Sequence, residues 1–169
     1  ALLSGGNIEV NGLDDALCDE LCAALRARAP SAGEGIKDLE GRNSTGETPF
    51  LMACIMGHVE CMKLLAEAGC DTAVISNNGM NALMCAAQSG VAAAVRAALA
   101  AGWCELEARD NHGRTAFLLA CSMGKVECMQ VLVEAGCNTA AKADDTSLLG
   151  TCNALMFAAH SGIAAPVRA

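Results

Sequence analysis

Residues 57–70 read GHVECMKLLAEAGC and residues 124–137 read GKVECMQVLVEAGC, and the two segments are identical at ten of fourteen positions. A second pair, NALMCAAQSGVAAAVRA at 81–97 and NALMFAAHSGIAAPVRA at 153–169, matches at thirteen of seventeen positions. The first pair is offset by 67 residues and the second by 72. Two types of unit therefore alternate along the chain, each about 33 residues long, which is typical of a helical repeat array.

Local signals within one unit predict two short antiparallel helices. The stretch 46–71 reads GETPFLMACIMGHVECMKLLAEAGCD, in which Thr48 can cap a helix and Pro49 can occupy its first turn. Gly57 then breaks this helix for a tight turn, and Gly69 ends the second helix in a left-handed conformation. The pattern resembles the ankyrin repeat family. This resemblance implies an all-α fold, a helix-turn-helix solenoid with hairpin-like loops.

The resemblance covers roughly residues 38–169 and predicts where the units begin and end. Asn81 and Thr115 are the expected helix caps of the later units, with Gly79 and Gly113 at the preceding turns. The five extra residues of the larger offset fall after Lys142, where we predict a longer loop. We predict a degenerate N-terminal repeat or cap at 1–42, ankyrin repeats at 43–75, 76–109 and 110–142, and a partial repeat with a loop insertion at 143–169.

Charge and hydropathy argue against two classes of partner. The chain of 169 residues carries a formal net charge of −8, which is the wrong sign for binding nucleic acid or anionic lipid. No run of about 18 apolar residues occurs, so we expect no insertion into a membrane. Hydrophobic residues make up 53% of the chain, which is enough to build a sizeable core.

The eleven cysteines are spread along the chain, and we interpret them as reduced thiols in an intracellular, reducing compartment, the cytoplasm. Buried cysteine behaves as a small hydrophobic residue, so we expect packing roles. Cys18 and Cys22 form a close pair at helical spacing, but no further ligand for a metal stands nearby. Six others occupy equivalent repeat positions 67 residues apart: Cys54 and Cys121, Cys61 and Cys128, and Cys70 and Cys137.

No pattern of an enzyme or a cofactor site is present in the sequence. The three histidines fall in different units and form no catalytic cluster. Gly124-Lys125 lacks the remaining residues of a phosphate-binding loop, since Leu119 stands where that motif requires glycine. We therefore predict a non-catalytic protein without a metal or a cofactor.

What the resemblance implies instead is a protein–protein interaction module or scaffold that binds another protein through its concave face. Met56 and Met123 are equivalent, and they either contact the partner or cover the neighbouring repeat. The positions that match the family's variable contact sites are Glu47, Ile55, Met56, Asn77, Asn78, Met80, Gln88, Asn111, His112, Arg114, Ser122, Met123 and His160.

Three other functions stay open from the sequence. The array can be the regulatory or targeting segment of a longer catalytic protein, such as a kinase or a ubiquitin ligase. It can also be a structural subunit that is built permanently into a large assembly. A thiol-based sensor is motivated only by the cysteine content.

Overall fold

A computed structural model describes residues 22, 23, 26, 39–145 and 150–153 of the chain. The predicted all-α fold is confirmed, because helices account for nearly all the regular structure of this part. The helices are α1 (Pro49–Met56), α2 (Val59–Glu67), α3 (Ala82–Ser89), α4 (Ala92–Ala101), α5 (Ala116–Ser122) and α6 (Val126–Glu134), and the strands are β1 (Lys142–Asp145) and β2 (Gly150–Asn153).

The first helix of each pair begins at the residue that the sequence predicts. Thr48, Asn81 and Thr115 have extended backbones, and their side-chain oxygens accept hydrogen bonds from backbone N–H groups three residues later. Each bond satisfies an N–H that has no partner within the helix. α1, α3 and α5 therefore start at equivalent points in their units.

Glycines in the left-handed conformation end two of these first helices, and each lies under a side chain of the next unit. Gly57 has φ 74° and Gly90 has φ 82°. A Cβ at Gly57 would meet the side chain of Val91, and one at Gly90 would meet the side chain of Lys125. Glycine is required here both for the backbone conformation and for the close approach of the neighbouring unit.

The helices form two layers. α1, α3 and α5 pack side by side as inner helices, and each pairs with the outer helix that follows it. Inner helices are buried at most positions, with Phe50, Leu83 and Leu118 inaccessible to solvent or nearly so. The outer helix α2 buries only one face, through Cys61, Met62 and Leu65. This difference follows from the stacking, because an inner helix has neighbours on more sides.

The connecting loops stack on one another at the end of the inner layer. We number them loop 1 (39–48), loop 2 (68–81), loop 3 (102–115) and loop 4 (135–145). The backbone N–H of Asn77 in loop 2 donates to the carbonyl of Thr45 in loop 1, at 3.0 Å. The N–H of Asn111 in loop 3 donates to the carbonyl of Asn78 in loop 2, also at 3.0 Å. A ladder of hydrogen bonds thus runs from loop to loop.

The insertion predicted as a longer loop contains regular structure. β1 and β2 are antiparallel partners, with Lys142 opposite Asn153 and Asp145 opposite Gly150. The part of the predicted partial repeat at 143–169 that follows β2 lies outside the described residues. The predicted unit boundaries stay predictions, because the helices alone do not mark where one unit ends and the next begins.

The prediction that all cysteines are reduced is wrong for Cys22 and Cys61, which form a disulfide across 39 residues of sequence. Their Cα atoms are 5.6 Å apart, so a residue before the first described loop is tied to the outer helix α2. The predicted packing role is confirmed for five of the equivalent cysteines: Cys54, Cys70, Cys121 and Cys128 are buried in the core, and Cys137 packs against it. Cys18 lies outside the described residues.

Candidate partner-binding surface

The tips of loops 1, 2 and 3 are each held by a side-chain oxygen at an equivalent position. In loop 1, Asn43 Oδ1 accepts from the backbone N–H of Glu47 at 2.9 Å. In loop 2, Ser76 Oγ accepts from the N–H of Met80 at 3.2 Å. In loop 3 the equivalent oxygen belongs to Asp110. Short polar side chains favour such turns because they replace a backbone acceptor.

Asp110 is the charged member of these three residues. Its Oδ1 accepts from the backbone N–H groups of His112 at 2.9 Å and Arg114 at 2.8 Å. Its Oδ2 accepts from Nε of Arg114 and pairs with Nη2 of the same guanidinium, both at 2.8 Å. The Asp110 side chain is completely buried, so the guanidinium neutralises a charge that has lost its water. Arg114 is therefore engaged by its own loop.

Two of the predicted contact residues also serve the stacking of the loops. Asn77 Nδ2 donates to the carbonyl of Ser44 at 3.2 Å, and Asn111 Nδ2 donates to the carbonyl of Asn77 at 2.9 Å. Both residues are exposed. Each thus uses its side-chain amide to hold the preceding loop, and the amide oxygen lies over a glycine of that loop, Gly46 or Gly79.

The structure divides the predicted contact residues into three groups by exposure. Met80 has only 8% of its surface exposed and packs in the core, so it offers little area to a partner. His160 lies outside the described residues. The remaining predicted positions are accessible: Met56, Asn77, Asn78, Asn111, His112 and Met123 are exposed, whereas Glu47, Ile55, Gln88, Arg114 and Ser122 are half-buried.

Met56 and Met123, at the ends of α1 and α5, are 38% and 49% exposed. Between them lie two residues that the sequence analysis did not select, Val91 and Lys125. The Val91 side chain lies over Gly57, which follows Met56 in the chain, and that of Lys125 lies over Gly90. We call Met56, Val91, Lys125 and Met123 the turn row. The turn row presents two thioethers, a branched aliphatic group and a lysine stem, and it extends over three units.

A signal for this row was present in the sequence. Val91 and Lys125 follow Gly90 and Gly124, just as His58 follows Gly57, so they occupy the position where the family pattern has histidine. Long or branched apolar groups at the start of an outer helix cover the glycine of the preceding unit. A departure from the family pattern thus marked two surface residues.

The buried thiols of the described part are poorly suited to redox or nucleophilic chemistry. Burial raises the pKa of the Cys54 and Cys85 thiols, and it raises that of Cys121 to about 12. The thiolate is the reactive form, so these groups are inert at neutral pH. No group of three or more His, Cys, Asp or Glu side chains suited to a metal ion occurs among the residues that the structure describes.

None of the helices in the described part of the chain is long and apolar enough to cross a membrane.

The asparagine of the sequence Asn43-Ser44-Thr45, a nominal glycosylation site, is engaged within loop 1. Asn43 Nδ2 donates to Oε2 of Glu47 at 2.9 Å, and its Oδ1 accepts from Thr45 and Glu47. A glycan on this nitrogen would replace the bond to Glu47.

Comparison with known proteins agrees with the repeat geometry. A family model described as ankyrin repeats in three copies matches residues 18–102 and 68–143. A putative E3 ubiquitin-protein ligase of Arabidopsis thaliana, XBAT31, is 31% identical over 106 residues, covering 56% of this chain and 23% of the relative. The ankyrin repeat and KH domain-containing protein mask-1 of Caenorhabditis elegans is 34% identical over 101 residues, covering 59% of this chain and 4% of the relative. The chain thus corresponds to less than a quarter of the length of either relative.

Proposed function

The chain belongs to the ankyrin repeat family, and we propose that it acts without catalysis by holding a partner protein on the turn row and on the exposed tips of loops 2 and 3. The observation that carries the proposal is the exposure of two equivalent methionines, Met56 and Met123. Methionine adapts its shape to a partner, and apolar side chains at solvated positions form anchors inside a polar rim. The exposed Asn78, Asn111 and His112 supply polar groups at the opposite ends of the inner helices.

The inner helices of neighbouring units pack about 8–10 Å apart, so Met56 and Met123, two units apart, are separated by roughly 16–20 Å. A partner helix rises about 1.5 Å per residue and would span this distance with 11–13 residues. The proposed partner therefore presents two apolar side chains at that spacing. The net charge of −8 disfavours nucleic acid as the alternative ligand.

Affinity capture with a double variant tests this proposal. Met56→Glu with Met123→Glu places two carboxylates in the turn row, and proteins held by apolar anchors should be retained at least tenfold less, since a buried unpaired charge is costly. Ala100→Glu with Gln130→Glu is a matched control, because it adds the same charge at exposed positions of the outer helices. Met80 is left unchanged, because a charge at that buried position would unfold the loop.

Retained proteins are identified by mass spectrometry, and circular dichroism checks that both variants stay folded. Partners lost from the methionine variant but kept by the control support the turn row as the binding surface. If the two variants retain the same partners as the unaltered chain, the turn row is not the binding surface.

A second function is favoured by one comparison. The relative named as a putative E3 ubiquitin-protein ligase is matched over only 23% of its length, so the matched array is one segment of a larger protein. By the same logic, this chain would be the targeting segment of a longer catalytic protein. Sequencing the full reading frame decides this, and a frame without a catalytic domain would exclude it.

The predicted reducing, cytoplasmic location stays a prediction. The free, buried thiols of the described part agree with it, and the bond between Cys22 and Cys61 does not. Thiol counting on the chain isolated from its native source, after trapping with an alkylating agent, would show whether the bond exists in the cell.

A further inference from the structure

Two charged side chains of loop 1 reach across to loop 2. Arg42 Nη1 donates to the carbonyls of Gly46 in its own loop, at 3.1 Å, and Ile75 in loop 2, at 2.9 Å. Glu40 Oε1 accepts from the backbone N–H of Asp71 in loop 2, at 2.7 Å. Hydrogen bonds that involve a charged group are stronger than neutral ones. These two contacts therefore reinforce the ladder between loops 1 and 2.

Loop 3 holds loop 4 in the same way, 67 residues later. Arg109 Nη1 donates to the carbonyls of Gly113 and Lys142, both at 2.7 Å. Glu107 Oε1 accepts from the backbone N–H of Asn138, at 2.7 Å. Each arginine thus links a carbonyl of its own loop with one of the next, and each glutamate caps an N–H of the next loop.

Between loops 2 and 3 these contacts cannot form. The residues of loop 2 that correspond to Glu40 and Arg42 are Ala73 and Ile75, 33 positions further on. Ala73 has no carboxylate and Ile75 has no guanidinium. Both side chains are exposed, and Ile75 is the most exposed large hydrophobic residue of the described part, at 53%.

An aromatic contact follows the same alternation. The rings of Phe50 in α1 and Trp103, just after α4, meet edge to face with centroids 5.0 Å apart. This contact joins the first helix pair to the second. The corresponding positions one unit later are Leu83 and Cys137, which cannot form an aromatic pair.

The rest of the stacking is common to both boundaries. The backbone bonds from Asn77 to Thr45 and from Asn111 to Asn78 have the same length of 3.0 Å, and the inner helices pack across both boundaries. The charged and aromatic contacts therefore distinguish the boundary between loops 1 and 2 from the boundary between loops 2 and 3. In a repeat array the stability is approximately a sum of unit terms and nearest-neighbour terms, so opening occurs where the neighbour term is smallest.

We propose that the array is built as two-unit blocks and that the boundary between loops 2 and 3 is a hinge. The first block holds loops 1 and 2, helices α1 to α4 and Trp103 at the start of loop 3, and the second holds the tip of loop 3, loop 4, α5 and α6. Met56 lies in the first block and Met123 in the second. If the proposed function holds, the hinge sets the distance between the two anchors, although the hinge itself does not depend on that function.

Amide hydrogen exchange of the whole chain, followed residue by residue by NMR, tests the hinge without any partner. The N–H groups of Asn77 and Asn111 report on the two boundaries, because each donates the ladder bond of its loop. Two additional charged hydrogen bonds should slow local opening about tenfold or more, so Asn111 is expected to exchange at least tenfold faster than Asn77. Equal exchange rates would overturn the proposal.

A double variant supplies the missing contacts. Ala73→Glu with Ile75→Arg gives loop 2 the residues that loops 1 and 3 already have, and both positions are exposed, so folding should be unaffected. It is expected to slow the exchange of Asn111 about tenfold and to leave Asn77 unchanged. No change at Asn111 in this variant would also overturn the proposal.

The converse variant provides an independent check. Glu40→Ala with Arg42→Ile gives loop 1 the residue types of loop 2, and it is expected to raise the exchange rate of Asn77 to that of Asn111. The matched control is Glu107→Ala with Arg109→Ile, which removes the contacts to loop 4 and should leave Asn77 unchanged. If Asn77 responds equally to both variants, the alternation of tight and loose boundaries is refuted.

Discussion

Helices α2 and α6 read VECMKLLAE and VECMQVLVE, yet they lie in different surroundings. Cys61 of α2 is bonded to Cys22, whereas the equivalent Cys128 of α6 is a buried free thiol. Met62 is fully buried, whereas the equivalent Met129 is only half-buried. A nearly identical sequence therefore produces the same helix twice, but the elements packed on each side decide what its side chains do.

The physical cause is the position of each helix in the stack. α2 contacts α4, and it is also bonded to Cys22 through Cys61 and paired with Arg26 through Glu60. α6 has α4 on one side, and Val126 and Val133 are exposed on its surface. The comparison between the two helices leads to four predictions, given from the largest expected effect to the smallest.

Loss of the disulfide should cause the largest difference in stability between a variant at α2 and the matching variant at α6. Cys22→Ala opens a loop of 39 residues and is expected to lower the free energy of unfolding by roughly 4 kcal/mol through chain entropy. Cys128→Ala removes one buried sulfur and should cost about 1 kcal/mol. Urea unfolding with and without dithiothreitol measures both. An unfolding midpoint of the unaltered chain that is insensitive to dithiothreitol would contradict this prediction.

The loop tips before the two helix pairs differ in charge and burial. Asp110→Ala leaves Arg114 without its carboxylate and two backbone N–H groups without an acceptor, so we expect a loss of about 3 kcal/mol. Asn43→Ala affects a half-buried neutral residue and should cost about 1 kcal/mol. Thermal unfolding of the two variants checks the order. Equal losses would mean that the buried ion pair adds nothing beyond the turn.

The helix caps should show no difference between the two units. Thr48 and Thr115 each accept from a backbone N–H at 3.4 Å, and both are buried. Replacement of either by alanine should cost about 1 kcal/mol, and Thr→Ser at the same positions should cost less because the oxygen is retained. Chemical unfolding gives both values. A difference above 1 kcal/mol between the two alanine variants would show that stacking, and not the cap alone, sets the cost.

The smallest effect concerns two thiols and is visible only at alkaline pH. Burial, together with the carboxylates of Glu40 and Asp71, raises the pKa of Cys70 to about 12, and burial with the carboxylate of Glu107 raises that of Cys137 to about 11. The ordinary value is 9.0, so the folded chain keeps protons that the unfolded chain releases, and stability falls as the pH rises from about 9 to 12.

Iodoacetamide labelling followed by mass spectrometry checks this order. Cys137 should react before Cys70 as the pH is raised, since its thiolate forms at lower pH. The urea-unfolded chain is the control, in which the two thiols should react at the same rate. Faster labelling of Cys70 in the folded chain would contradict the assigned difference in burial.

Much of the fold could be predicted from local patterns. The caps Thr48, Asn81 and Thr115, the turn at Gly57 and the alternation of two unit types were all predicted, because each depends on residues a few positions apart or on direct repetition. The contact surface was harder to predict. Met56 and Met123 are exposed as expected, but Met80 is buried in the core and Val91 lies in the turn row.

The sequence by itself determined the helices, the turns and the period, because capping bonds and left-handed glycines act within about four residues. Only the tertiary structure decided which cysteine is bonded, which methionine is exposed and which loops are held together by charged side chains. Those contacts join residues 31 to 39 positions apart, as in the pairs of Glu40 with Asp71, Arg42 with Ile75 and Cys22 with Cys61. Their formation depends on how one unit packs on the next, and local sequence does not specify that packing.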